Sequence, residues 1–171
     1  EEEIKKSNVK ILAHEVVYKI IEDFEKWKQD KIKQIERKKL DELPSLVKLN
    51  ILDFVFRNSN PAVFGVKVAG GLLKQEIRLI SKEDKKISRV KTIQEEKNTI
   101  QEAEQGKEVA ISLPGVNFER QLKVGENLYS DLSESQFRKF KTHKTLLAEN
   151  EKKVLMEISE IKRRASPTWG I

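Results

Sequence analysis

The sequence predicts an α+β fold: a long amphipathic helix, then a small all-β barrel or sandwich, then a helical close. Three observations carry this. Apolar residues recur at helical spacing from Val16 to Trp27. Short alternating runs separated by turn signals fill residues 47–129. A capping signature at Ser133 opens a second helical stretch.

In chain order, Asn8–Ala13 reads as a short strand. A helical pattern runs from about His14 to Leu43, where Val16, Val17, Ile20, Ile21, Phe24 and Trp27 share one face. Beyond Trp27 the apolar positions thin to Ile32 and Ile35 among Lys, Glu and Gln. The first half is therefore expected to have a packing partner and the second half to be an exposed spacer. Pro44 ends the pattern. Strands are expected at Val47–Phe56, Ala62–Ala69, Glu76–Ser81, Ile87–Gln94, Glu108–Leu113 and Gln121–Tyr129. Gly70-Gly71 reads as a turn and Lys82–Lys86 as a solvated loop. Ser133 at N-cap with Gln136 three residues on fits a capping box. Phe137, Phe140, Lys144 and Leu147 continue that helix. Asn150 is placed to cap a last one, in which Val154, Leu155, Ile158 and Ile161 form one face. Lys162, Arg163 and Arg164 suit its C-terminal dipole end, and Pro167 stops it.

Composition narrows the function. A net charge of +6 favours contact with phosphate, and the excess lies in residues 45–171 rather than in the balanced first 44. The absence of Cys excludes a disulfide scaffold and a thiolate metal site. His14 and His143 are too far apart in sequence to read as a cluster. Gly106-Lys107 lacks the flanking residues of a phosphate-binding P-loop, and Glu95-Glu96 sits in a charged stretch that reads as solvated. No catalytic residue and no metal ligand is assigned, so the chain reads as a binding module. No apolar run reaches the length of a membrane span and no leader is visible, which points to a cytoplasmic protein with no membrane partner. An opening at Glu1 with the lone Met at position 156 is read as part of a longer chain.

The central and C-terminal motifs are more specific. Phe56-Arg57-Asn58-Ser59-Asn60-Pro61-Ala62-Val63-Phe64-Gly65-Val66 resembles the start of domain IV in archaeal and eukaryotic translation initiation factor 5B, the homologue of bacterial initiation factor two. So do Gly70–Lys74, Ile93-Gln94, Gln101-Glu102-Ala103, Gly106, Glu108–Ser112, Arg120-Gln121 and Leu128-Tyr129. Glu157–Arg164 and Pro167–Gly170 resemble the family's C-terminal segment, and Asn8–Trp27 its last domain III strand and long helix. Where the family often has Gly before the Arg-Gln pair, this chain has Glu119.

The resemblance implies a remnant of domain III at residues 1–13, a long connecting helix at 14–43, a translation-factor type antiparallel β-barrel at 45–131 and two C-terminal helices at 132–171. It also implies the C-terminal part of a translational GTPase that promotes joining of the small and large ribosomal subunits. GTP and Mg would belong to another domain, leaving this part without a cofactor or hydrolytic activity. The helix would carry GTP-dependent movements to the barrel. The implied partners are initiator methionyl-tRNA and initiation factor 1A.

For the aminoacylated acceptor end, the resemblance points to segments near Val55, Val66, Glu95, Glu96, Glu108, Val109 and Ala110. The candidate contacts are Arg57, Gly65, Val66, Glu95, Lys107, Glu108, Val109 and Arg120. Gly65 either admits a close backbone approach or marks a bulge. Arg57, Lys107 and Arg120 are the phosphate candidates, against a reading as ordinary exposed cations. For the factor 1A tail the candidates are Phe137, Phe140, Lys141, Lys144, Leu147, Leu155 and Ile158. The same apolar residues also read as a seam between helices and barrel. The alternative function is a non-enzymatic protein-interaction adaptor using that helical groove alone.

Overall fold

The computed structural model describes residues 17–96 and 98–171. The strand expected at 8–13 and the helix start at His14 lie outside the described residues. Helix α1 spans Val17–Asp41, and its 25 residues reach about 38 Å. Tyr18, Ile21, Phe24, Ile32 and Ile35 are exposed along it. In the first half Ile20, Asp23 and Trp27 are half-buried, whereas the described side chains from Lys28 to Lys38 are exposed, so the expected contrast is present only in part. The Phe24 and Trp27 rings lie 5.9 Å apart. The helix ends two residues earlier than expected. The Leu43 amide donates to the Leu40 carbonyl at 2.9 Å, one residue before Pro44.

The compact unit begins at Leu40. Its strands are β1 (Val47–Arg57), β2 (Ala62–Lys74), β3 (Arg78–Ser81), β4 (Lys86–Arg89), β5 (Thr92–Glu95), β6 (Asn98–Ile100), β7 (Glu102–Glu104), β8 (Glu108–Leu113) and β9 (Asn127–Ser130). They pair antiparallel in the order β4-β3-β9-β1-β2-β8-β5-β6, and β7 pairs with the far half of β2. The corner between β4 and β5 draws the two flanks together. Val90 exchanges hydrogen bonds with Glu76 and Ile77 (2.8 and 2.9 Å), while the Lys91 amide donates to Ser112 at 2.9 Å. The sheet thus curls around one apolar interior, as a short-stranded sheet must to cover its own face. Val47, Leu49, Ile51, Phe64, Val66, Val68, Ile93, Ile111 and Leu128 fill that interior.

Several expectations are corrected. Gly70 and Gly71 are not a turn: β2 runs through them to Lys74. The register with β1 slips between Lys48↔Gly70 and Leu49↔Val68, so the pair sits at a bulge where β2 bends toward β7. Gly71 has φ +75, and a Cβ there would fall 1.9 Å from the Leu46 carbonyl oxygen, so glycine is required. The single strand expected at 87–94 is two, broken at Val90-Lys91, and the strand expected at 76–81 starts at Arg78. The span expected as a strand at 121–129 holds the end of a one-turn helix α2 (Phe118–Gln121) and then β9. Asn117 caps α2 by accepting from the Arg120 amide.

The C-terminal helices are α3 (Glu134–Thr142) and α4 (Glu149–Ala165), with a single 3₁₀ turn at Lys144–Leu146 between them. The Ser133/Gln136 capping box is present as expected. Ala148, not Asn150, holds the N-cap of α4, and the Glu151 carboxylate accepts from the Ala148 amide at 2.9 Å. Asn150 instead lies in the first turn and donates to the Gln105 side chain at 2.7 Å. A second apolar cluster joins Leu46, Ile80, Tyr129 and Leu132 of the sheet side to Phe137, Phe140, Leu147, Val154, Leu155, Ile158 and Ile161 of the helical side. Among the described helices none is long and apolar enough to cross a membrane.

Candidate functional site

The helices leave part of the outer sheet face uncovered. There β1, β2 and β8, with residues from and just beyond β5, form a cleft of about 580 Å³ lined by Leu52, Phe54, Phe56, Val63, Gly65, Gln94, Glu96, Glu108, Val109 and Ala110. Strand parity explains the lining. Phe64 and Val66 face the interior, so Val63 and Gly65 face outward. Gly65 pairs with Ala110, which in turn pairs with Gln94. Gly65 and Ala110 have little or no side chain, and this makes the floor. The walls come from a β1 bulge: between Ile51↔Val66 and Val55↔Phe64, β1 spends two more residues than β2. Leu52 and Phe54 lie over Gly65, where an added Cβ would stand 3.3 Å from the Phe54 Cβ. Gly65 thus lies opposite the β1 bulge, as one of its two readings expects. Phe54 and Phe56 remain 59% and 70% exposed, and an exposed aromatic pair beside a concave apolar floor marks a candidate binding surface.

Of the eight residues expected at the acceptor end, Gly65 and Glu108 line this cleft on the outward parity; Val109 also borders it, but it pairs with Val66 and is buried in the interior cluster. Val66 does not: it is fully buried in the interior and offers no surface to a ligand. Glu95 is not among the lining residues either. Its carboxylate accepts from the Lys107 ammonium at 3.0 Å, so two expected contacts are occupied by each other. Glu96, the next residue, takes the place in the lining. Arg57 ends β1 and Arg120 lies on α2. The two segments are tied by the Phe118 amide donating to the Asn58 carbonyl (2.8 Å) and the Asn58 side chain donating to Glu119 (2.8 Å). Glu119, the departure from the family pattern, thus anchors the loop that follows Arg57.

Leu52, Phe54, Phe56, Val63 and Gln94 were not anticipated. A signal existed in Ile51–Phe56, which is apolar at both parities: a strand half-buried in a barrel needs only one.

The expected factor 1A residues separate by burial. Phe137, Phe140, Leu147, Leu155 and Ile158 are buried in the second cluster and form the seam between helices and sheet rather than an open groove. Lys141 and Lys144 are exposed. The seam is pinned by polar contacts. Glu157 on α4 accepts from Lys48 (2.7 and 3.0 Å) and from the Tyr129 hydroxyl (2.7 Å). Burial and then the adjacent Glu157 carboxylate raise the Tyr129 hydroxyl well above its ordinary range. Lys162 Nζ hydrogen-bonds Asp131 at 2.8 Å and forms an ion pair with Asp84 at 2.6 Å. Burial works against the charge on Lys162, but the two carboxylates outweigh it and its pKa is raised. Among the described residues no group of His, Cys, Asp or Glu is arranged to hold a metal ion.

A curled antiparallel sheet with a bulge-walled cleft on its outer face and helices on the remainder defines a translation-factor type barrel domain. Residues 44–129 match the family described as elongation factor Tu domain 4, and the chain belongs to that family, on an archaeal initiation factor 5B-like pattern. It is 40% identical over 166 residues to "Probable translation initiation factor IF-2" of Methanoculleus marisnigri, covering 96% of this chain and 28% of the relative. It is 38% identical over 177 residues to the protein of the same name from Hyperthermus butylicus, covering 100% and 28%. A solved structure described as GDP-bound aIF5B from Aeropyrum pernix superposes with TM-score 0.76 at 33% identity, covering 99% of this chain and 29% of that one. The chain spans 28% of the length of these two curated relatives.

Proposed function

We propose that this chain is the acceptor-end binding arm of a translation initiation factor, and that its cleft receives the aminoacyl group of initiator methionyl-tRNA. One observation carries the reading. The uncovered apolar cleft floored by Gly65 and walled by Phe54 and Phe56 has the size and lining to take an unbranched apolar side chain. A thioether packs well against aromatic rings and adapts to an irregular floor. Arg57 and Arg120, on segments tied together at one end of the cleft strands, are the cations for the terminal phosphates. Lys107 is held by Glu95 and contributes less.

In this reading the whole factor promotes subunit joining on the ribosome, with GTP and Mg bound outside this chain, and initiation factor 1A is a further partner. The adaptor alternative has weaker support, because the apolar residues it needs are packed inward. Filter binding with methionylated and uncharged initiator tRNA tests the proposal. The methionylated form should bind at least about 10-fold more tightly, the value of one well-filled apolar side chain. Equal retention of both forms, with a steep salt dependence, would reduce the chain to a general RNA binder.

A further inference from the structure

The cleft is apolar, but its charge is one-sided. Its lining includes two carboxylates, Glu96 and Glu108, and no Lys or Arg, on a chain whose net charge is +6. The two enter from the same end. β5 and β8 pair at Thr92↔Ser112, Ile93↔Ile111 and Gln94↔Ala110; Glu96 lies just past β5 in the turn to β6, with φ +47, and Glu108 opens β8, so both carboxylates stand at that end of the strand pair. Like charges lining one cleft repel. Glu108 has Lys67 at 3.4 Å, with both side chains half exposed. Lys107 is engaged by the neighbouring Glu95 at 3.0 Å. Among the described residues no cation pairs with Glu96. An anionic mouth is also a poor match for the end of a polyanion, unless the incoming group itself carries a positive charge at that point.

We infer that Glu96 and Glu108 make the cleft selective for an aminoacyl ester with an unblocked α-ammonium. The ammonium docks between the two carboxylates while the side chain lies on the Gly65 floor. This rests on the acceptor-end reading above and adds to it a specificity determinant. A charge-assisted hydrogen bond supplies the attraction. N-acylation removes both the charge and two of the donors, so the blocked ligand leaves the carboxylates desolvated against each other.

The test uses three probes on the same chain: a CCA trinucleotide carrying a 3′-methionyl ester, its N-acetyl-methionyl counterpart, and the uncharged trinucleotide. The wild-type chain should prefer the free-amine ester over the N-acetyl ester by about 10-fold or more. In the Glu96→Gln/Glu108→Gln double variant that preference should shrink to about 2-fold or less, while both esters still exceed the uncharged probe. Relief of the repulsion should leave the variant's melting temperature unchanged or higher, which separates lost selectivity from misfolding. Equal wild-type affinity for the two esters overturns the inference and leaves the acceptor-end reading standing. So does full preference retained in the double variant. Failure of both esters to exceed the uncharged probe overturns the two together.

Discussion

Phe54 and Phe56 allow the cleft to be tested separately from the fold. Truncating both to Ala removes the walls without touching the interior, since neither belongs to the two apolar clusters. A Phe side chain presents about 200 Å². At 59% and 70% exposure the pair leaves about 260 Å² facing solvent. If a bound aminoacyl group covers half of that, about 130 Å² is removed from water, or about 3 kcal/mol at 25 cal/mol/Å². Some contact survives through the remaining Cβ atoms and Leu52, so the expected loss is roughly 2–3 kcal/mol, a ~30- to 150-fold rise in Kd. The folded state loses little, and the urea midpoint should move by less than the equivalent of about 0.5 kcal/mol. Fluorescence titration with methionylated initiator tRNA and a urea melt on the same preparation give both numbers. A Kd within 3-fold of wild type would refute the placement of the ligand. A large drop in midpoint would show that the two rings are structural.

Gly65→Val should weaken the same binding by filling the floor, with a stability cost of about 1–3 kcal/mol, because the added Cβ already stands a tight 3.3 Å from the Phe54 Cβ and two methyls must also be placed; equal binding would place the ligand elsewhere. Gly71→Ala should cost about 4 kcal/mol, combining left-handed strain with displacement of the Leu46 carbonyl that accepts from Leu72 at 2.9 Å. Gly106→Ala, at φ +92 with nothing within 4 Å, should cost only about 1 kcal/mol; similar urea midpoints for these two variants would contradict the close approach at Gly71. Lys162 and Tyr129 both have pKa values raised by folding, so their contribution is complete below their unfolded values of 10.5 and 10.0 and is lost as pH rises above them. The urea midpoint should therefore fall steeply from pH 10 upward, and less steeply in Tyr129→Phe, while a flat profile would show that neither contact is formed.

The parts of the fold legible in the sequence were those with a strong local period. Val47, Leu49 and Ile51 alternate, and they face the interior. Ser133 and Gln136 announced a capping box that needs nothing beyond the helix itself. What escaped was decided by long-range pairing. β6 and β7 are polar segments whose strand character comes from pairing with β5 and β2 rather than from their own residues. Gly70-Gly71 carries the composition of a turn, but Leu46 lies against it and makes it a bulge. At the site the limiting factor was parity. A resemblance identifies a segment, and within a strand one residue's offset moves a side chain from ligand to core. Hence Gly65 lines the cleft while Val66 is buried, and Glu96 lines it while Glu95 is tied to Lys107.

The division of the outer sheet face connects these observations. A curled sheet buries its inner face in itself, and its outer face is then wet, covered or used. Here α3 and α4 cover the side built on Leu46, Ile80 and Tyr129, and the Glu157 and Lys162 contacts hold that cover in register. The side built on Leu52, Phe54 and Phe56 has no such cover among the described residues of this unit. Its apolar surface carries a solvation cost that folding alone does not repay. Because this surface stands on paired strands and a bulge rather than on a loose loop, its shape is set before any ligand arrives, which lowers the ordering cost of binding. The carboxylates at its mouth fit the same logic. They give its lining a negative charge, and under the inference drawn above the ligand that matches it brings its own positive charge.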